Sequence, residues 1–406
     1  MMRLVLVTRR FWPLVGEVET TLAHLADFFQ ASGCHVQILT PRWESHWPAN
    51  LSFRGCSLTR LPHPKTRGWG RIWYMRSLRR WLIERREQYD LILVSSPGQD
   101  AFSVLASQKR HQKPVVIRVE ESGPDGDIHG QVSAPFGMRI RRVTQQANHF
   151  IACSEAIQRE MLEIGYAAQK MTLIQNGVLP SSVRNFQRRA EARDALAETH
   201  RILGVAEDAP LVMYAGRLDE RQRLTDLISI WPQILKTHPK ARLWLVGEGD
   251  HIPRLWEAIR SRGLVDTVIL TGSFDDLREV LYAVDAFVVP AKQSEWSLRV
   301  RQAMMARVPL VACESLEARP KINDKMNGFV FPEGDKETLA ETLLFVLQSG
   351  TLVRHCADHA RQDAENDFEW KTMGQSHLDV MRKCLASGAS QVHEALQRSP
   401  TRFTRN

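Results

Sequence analysis

Short runs of β-branched and aliphatic residues recur along this chain, and nearly all are apolar on both faces. In the first half they are Leu4–Thr8, His35–Thr40, Leu91–Ser95, Val115–Val119, Phe150–Cys153 and Met171–Ile174. In the second they are Leu211–Tyr214, Arg242–Val246, Val268–Leu270, Ala286–Val289 and Leu310–Ala312. A strand buried on both faces belongs to a parallel sheet covered by helices. Helical patterns separate the runs, so the connections are right-handed βαβ crossovers. Two such series of similar length predict an α/β protein with two Rossmann-like domains whose parallel sheets face a central cleft. The polar, charged stretch 181–208 reads as the linker between domains 1–180 and 209–365.

Charge is uneven along the chain. Residues 1–180 hold 23 Lys and Arg against 15 Asp and Glu, while the remainder holds 31 of each. The whole net charge of +8 therefore lies in the first half. A basic half suits an acidic substrate or an anionic membrane surface. Nucleic acid is not an expected partner, because no zinc-finger spacing, RNP-like aromatic motif or helix-turn-helix is present. The six cysteines are scattered without a CxxC pair, which predicts reduced, buried thiols, no metal site and a cytoplasmic location. The opening "MMRLVLVTRRFW" has too short an apolar stretch for a signal peptide and reads as a first strand.

One segment, "WGRIWYMRSLRRWLIERREQ" from Trp69, mixes aromatic residues with six arginines. At helical spacing Ile72, Met75, Leu78, Trp81 and Leu82 share a face that would pack on a sheet. The other face is basic and suits solvent or an anionic lipid surface.

The second half carries an ordered series of phrases: "YAGRLDERQRLTDLI", "LWLVGEGD", "VILTG", "LYAVDAFVVP", "QAMMARVPLVA" and "NGFVFPEGDKETLAETL". Gly216 and Arg217 end a strand and place a fixed cation at the sheet's C-terminal edge, where doubly wound folds bind ligands. Gly247, Glu248 and Gly249 form a tight turn that lets a ligand approach backbone. Asp285 reads as a helix–strand junction. A dinucleotide-binding fingerprint is absent, because neither "RRFWPLVGEVE" nor "VGEGDHI" supplies G-x-G-x-x-G after a strand.

Together these phrases resemble glycosyltransferase family 4, a retaining family with the GT-B fold. "FWPLVGEVETTLAHLADFFQASGCHVQILT" is similar to its opening glycine loop and first helix, and "IACSEAIQREMLEIGYAAQKMTLIQNGV" to the end of its first domain. "FEWKTMGQSHLDVMRK" is similar to its closing helix, expected here at 366–384 and crossing back over the first domain, with 385–406 a disordered tail. The resemblance implies no cofactor, and a UDP-, GDP- or ADP-sugar donor held mainly by the second domain. It implies a lipid-linked or polysaccharide acceptor on the first domain.

A leaving diphosphate needs cations and backbone N–H groups. Here Gly16 matches the family's first loop glycine, and Glu17 replaces the second. Arg217 matches its arginine. The Lys-Gly that follows becomes Gln222-Arg223, with Arg221 and Arg223 as substitute cations. Of the two donor-sugar glutamates, the first falls on Ser294 or Glu295 and the second becomes Gln302; Ser297 and Leu298 open the same helix. Each lost or reversed charge costs about 1–4 kcal/mol, and the sum of roughly 4–8 kcal/mol equals about 10³–10⁶ in rate. On the acceptor side, Glu120, Glu121, Asp125, Asp127 and His129 follow a strand and are candidates for touching sugar or acceptor hydroxyl. Two functions are expected: a retaining transferase at the membrane face, or a non-catalytic relative that partners an active one.

Overall fold

The computed structural model describes the chain except residues 15, 66–68, 122, 124–125, 134–135, 179–185, 275, 294–295, 316–317, 319–320, 349, 368 and 398–406. Two compact units emerge. The first takes Met1–Asn176 and the chain from Lys371 onward; the second takes Gly177–Trp370.

The first unit is built on strands β1 (Arg3–Val7), β2 (His35–Arg42), β3 (Asn50–Phe53), β4 (Cys56–Pro62), β5 (Leu91–Val94), β6 (Val115–Val119), β7 (His149–Ala152) and β8 (Met171–Leu173). Their order across the sheet is β3-β4-β2-β1-β5-β6-β7-β8, and only the β3–β4 pair is antiparallel. That edge hairpin is absent from the sequence reading. Its turn is Arg54-Gly55, with φ of 48° and 81°, the positive pair that matches strand twist. Arg-Gly is a weaker signal than Asn-Gly or Asp-Gly.

Helix Trp69–Glu84 packs differently from the expected face. It buries Gly70, Tyr74, Leu78, Trp81 and Leu82, and Ile72 stays 43% exposed. Tyr74 can turn inward because its hydroxyl reaches the buried Asp100 carboxylate at 3.4 Å, which satisfies the phenol in the core. Gly70 fixes the helix start, since a Cβ there would strike the Pro64 carbonyl.

The second unit carries β9 (Leu211–Ala215), β10 (Arg242–Val246), β11 (Val268–Gly272), β12 (Ala286–Val289), β13 (Leu310–Cys313) and β14 (Phe329–Phe331). The order is β11-β10-β9-β12-β13-β14, all parallel. β9, at the centre, is buried along its whole length. All six cysteines of the chain are buried thiols.

Two expected boundaries differ from the structure. The stretch 181–208 contains a helix, Phe186–Thr199, that packs on helix Arg278–Ala283 in the second unit. Its anchor is Arg193, only 3% exposed, which donates to the carbonyls of Ala283, Ala206, Glu207 and Ala209. Arg193 also pairs with Asp285 at 2.9 Å, and Asp285 accepts from the Leu211 N–H at 2.9 Å. A charged stretch thus becomes structural, because its arginine closes the start of β9. The closing helix runs Trp370–Gln397, further than 384; residues 398–406 lie outside the described residues. Gly374 lets that helix sit against the Phe28 ring of helix Glu17–Ala31.

Replacing Arg193 strands several carbonyls and takes from Asp285 one of its two arginines. Arg193→Met is expected to destabilise the second unit by about 3 kcal/mol, read from chemical unfolding. A change below about 0.5 kcal/mol would show that the helix is not held by this residue.

Candidate functional site

In each sheet the strand order reverses beside the first strand of the unit. The loops on either side of that reversal leave in opposite directions and open a crevice at the C-terminal edge. In the second unit the reversal lies between β9 and β12. Gly216 and Arg217 follow β9, and residues 290–297 follow β12.

The β9 and β10 loops interlock through backbone. Gly216 N–H donates to the Val246 carbonyl at 3.0 Å, Leu218 N–H to Glu248 at 2.9 Å, and Gly247 N–H to Gly272 at 2.9 Å. A Cβ on Gly247 would strike the Gly216 carbonyl, and one on Gly249 would strike that of Leu218. These glycines therefore admit protein backbone, where the sequence reading had them admit a ligand. Glu248 contributes its carbonyl to this lock, and its side chain faces solvent.

The interlock raises Arg217 at the edge, 62% exposed, with the Asp219 carboxylate 3.7 Å away. Arg221 binds the same carboxylate at 3.1 Å. Arg223 pairs with Asp226 at 2.7 Å, and Lys336 reaches the other oxygen of Asp226 at 2.8 Å. Four cations thus share two carboxylates. Arg223 has φ of 54°, the left-handed conformation that explains a family glycine here. Gln222 accepts from Gln293 Nε2 at 3.4 Å, and the Gln293 N–H donates to Ser315 Oγ at 2.9 Å. Gln293 was not a predicted site residue; its position just after β12 was the available signal.

Helix Leu298–Met305 starts at Ser297, whose hydroxyl accepts from the Val300 N–H at 3.4 Å. Leu298 is buried. Gln302 Oε1 accepts from Arg299 at 3.1 Å. Ser294 and Glu295 lie outside the described residues.

In the first unit the reversal lies between β1 and β5. Gly16 precedes helix Glu17–Ala31 in extended backbone, and a Cβ there would meet the Glu19 carboxylate that folds over the helix start. Glu19 pairs with Arg10 at 2.5 Å. Glu17 is half-buried in the first helical turn. A second charged group spans the reversal and escaped the sequence reading. Arg9 lies over the Trp43 and Tyr74 rings at 5.1 and 5.6 Å, with Asp100 at 3.6 Å. Burial pushes the Asp100 carboxyl up, and Arg9 pulls it partly back. The phrases "VTRRFW" and "SSPGQD", each trailing a strand, were the signal.

The acidic loop after β6 splits by environment. Glu120 turns inward and forms an ion pair with fully buried Arg118. Arg118 also binds Asn176 and donates from Nε to His377 Nε2 at 3.2 Å. The His377 Nδ1–H donates to the Met373 carbonyl at 2.8 Å, so this imidazole is neutral. Burial, then Arg118, push its pKa down to about 3. Asp127 accepts from Ser96 Oγ at 2.6 Å and from the Glu120 N–H at 3.1 Å. Burial nevertheless raises its pKa to about 6. Glu121 and His129 are exposed, and Asp125 lies outside the described residues. Among the described residues no three His, Cys, Asp or Glu side chains gather as metal ligands.

Two parallel α/β units, each with charged groups at the reversal of its sheet, define the GT-B class of fold. The family model described as Glycosyltransferase Family 4 matches residues 18–181, and that described as Glycosyl transferases group 1 matches 209–349. Anabaena HepE in complex with UDP-glucose superposes with a TM-score of 0.71 at 16% identity, covering 95% of this chain and 100% of that one. Sucrose-phosphate synthase from Thermosynechococcus elongatus gives 0.74 at 18%, covering 95% and 100%. Among sequence relatives, the phosphatidyl-myo-inositol mannosyltransferase of Mycobacterium leprae is 23% identical over 96% of this chain and 98% of its own. The glycogen synthase of Mycobacterium tuberculosis is 25% identical, over 69% of this chain and 66% of its own. The chain thus spans just under two thirds of that relative's length. The chain belongs to this glycosyltransferase family.

The Asp127 carboxyl keeps its proton to higher pH when folded than when unfolded. Its contribution to stability therefore falls as pH rises from the ordinary carboxylate range through about 6. Asp127→Asn stays neutral. Relative to the parent it is expected to gain about 2–3 kcal/mol between about pH 4 and about pH 7.5, read from urea unfolding at each pH. A difference that stays flat over that range would mean the carboxyl titrates normally.

Proposed function

We propose that the protein transfers a sugar, with retention, from a nucleotide-sugar donor to a lipid-linked or polysaccharide acceptor at an anionic membrane surface. The observation that carries this is Arg217, exposed at the reversal of the second sheet with two more arginines around it. Its guanidinium is a fixed cation for a diphosphate, and Arg221 and Arg223 add charge from the same loop. Gln302 and Glu295 would hold donor hydroxyls, with Ser297 and Leu298 setting the helix that presents Gln302. Gly16 and Glu17 stand where the chain that leaves β1 enters helix Glu17–Ala31, at the reversal of the first sheet, where the resemblance places a glycine loop. The donor is a UDP-, GDP- or ADP-sugar, and the transfer needs no metal. On the acceptor side, Asp127 is the carboxyl whose environment suits proton transfer near neutral pH, with Glu121 and His129 beside it in sequence. A cytoplasmic location fits the buried thiols and the nucleotide-linked donor proposed here.

A second reading has its own support. Gln222 is tied to Gln293, Arg223 to Asp226, and Gln302 to Arg299. A site whose polar groups bind one another suits a non-catalytic partner of an active transferase.

Thermal shift with UDP, GDP and ADP separates the two. The transferase reading expects at least one nucleotide at millimolar levels to raise the melting temperature, and Arg217→Ala to weaken that binding about tenfold or more. Silence from all three would favour the partner reading. Glu17→Gly, Gln222→Lys and Gln302→Glu combined should then create nucleotide binding; if they do not, the assignment of the donor site is wrong.

A further inference from the structure

Among the described residues, nine large apolar side chains of residues 1–176 are conspicuously exposed, and six of them fall on one layer of helices. Trp69, Ile72 and Trp73, at 61%, 43% and 53% exposed, begin helix Trp69–Glu84. Val132, Phe136 and Met138, at 60%, 78% and 67%, lie in and between helices His129–Ser133 and Gly137–Thr144. Helix Gln99–Ala106 packs against both groups and joins them. Arg79 seals one junction, donating to Ser103 at 3.1 Å and lying over the Phe102 ring at 5.7 Å.

Each apolar group is interleaved with exposed arginine: Arg71 and Arg76 in the first, Arg139 and Arg142 in the second. Indole, phenyl and thioether side chains beside guanidinium, turned to solvent, are the composition of a surface that enters lipid headgroups. Exposed apolar clusters of this kind are unfavourable in water alone and mark a binding surface. The excess positive charge of residues 1–180 selects an anionic bilayer as the occupant. The first group begins the helix that follows β4, and the second lies in the connection from β6 up to the start of helix Gly137–Thr144, so both lie toward the C-terminal edge of the sheet. Arg9 and the loop carrying Asp127 lie at that same edge.

We propose that the first unit docks on an anionic lipid bilayer through this bipartite surface, with both apolar groups entering the headgroup layer. This deepens the membrane part of the function proposed above and rests on it only for why an acceptor would be met there. Among the described residues no helix is long and apolar enough to cross a membrane, so attachment of this kind is interfacial.

The test is flotation of the full chain with vesicles of phosphatidylcholine alone or with about one third phosphatidylglycerol. Binding is expected only to the anionic vesicles, weakening with salt, with a blue shift of tryptophan emission. Trp69→Ser/Trp73→Ser and Phe136→Ser/Met138→Ser should each lower partitioning about tenfold or more, at unchanged melting temperature. Arg71→Glu/Arg76→Glu/Arg139→Glu/Arg142→Glu should abolish it while touching no buried side chain. The control is a basic concavity of about 740 Å³ lined by Arg86, Lys109, Arg110 and Lys113, where chain leads into β5 and β6 at the opposite edge. Lys109→Glu/Arg110→Glu/Lys113→Glu should leave vesicle binding intact. The proposal is overturned if anionic vesicles are not bound, if the apolar variants bind like the parent, or if the control variant alone removes binding. Vesicle binding without nucleotide binding would overturn the transferase reading and leave this one standing; nucleotide binding without vesicle binding would do the reverse.

Discussion

In both units the chain starts its sheet at an inner position and then extends it in both directions. β1 is flanked by β2 and β5, and β9 by β10 and β12. Right-handed crossovers put helices for one direction on one face and for the other direction on the opposite face. The loops leaving the two central strands must therefore diverge, and a crevice opens without any residue being chosen for it. That constraint places two of the charged groups described above. Arg9 and Asp100 meet across one reversal; Arg217 and Gln293 stand on either side of the other.

What fills the second crevice is a set of cations that are partly neutralised in advance. Asp219 lies between Arg217 and Arg221, and Asp226 between Arg223 and Lys336. Two unit charges about 4 Å apart in partly wet surroundings interact by roughly 1–4 kcal/mol. A diphosphate bound as proposed would compete with each carboxylate for its arginines. Exposure decides the contest site by site. Arg217, at 62% exposed and 3.7 Å from its carboxylate, is loosely held, while Arg223 at 2.7 Å is tightly held. The first is the easier of the two for an anion to draw away, and the second would have to give up a closer ion pair.

The two-sheet plan was legible because buried parallel strands are apolar throughout, and eleven of them could be read directly. The hairpin β3–β4 was not, because the half-exposed edge strand β3 dilutes that signal, and β14 was not because three residues are too short a run to read. The supposed linker was misread for a related reason. Arg193 and Arg189 look like solvent residues in sequence, and only the fold supplies the Asp285 carboxylate and the carbonyls that bury them. Site positions trailing a strand, such as Arg217, could be inferred from topology. Their partners could not, since Gln222–Gln293 joins residues 71 apart and Arg9–Asp100 joins residues at two strand ends. Glycine was legible as a need for space but not as to who takes the space: at Gly247 and Gly249 it is the neighbouring loop.

The acidic loop after β6 shows how burial sorts residues of one type into different work. Glu120 and Asp127 are both drawn out of water, Glu120 fully and Asp127 in part, a change that raises their charging cost. Glu120 meets Arg118, a full positive charge, and the two form a neutral unit in the interior. Were His377 also charged, Arg118 would face a like charge at 3.2 Å with no solvent between; the imidazole gives up its proton and accepts from the guanidinium instead. That network ties the loop, Asn176 beyond β8 and the closing helix together. Asp127 meets only a hydroxyl and backbone N–H groups, which are dipoles, with Arg118 as a weaker influence. Dipoles offset desolvation less than a full charge does, so Asp127 is left with a proton it can exchange near neutrality. The loop thus sorts two carboxylates seven positions apart: one is held in a buried ion pair, and burial raises the pKa of the other to about 6.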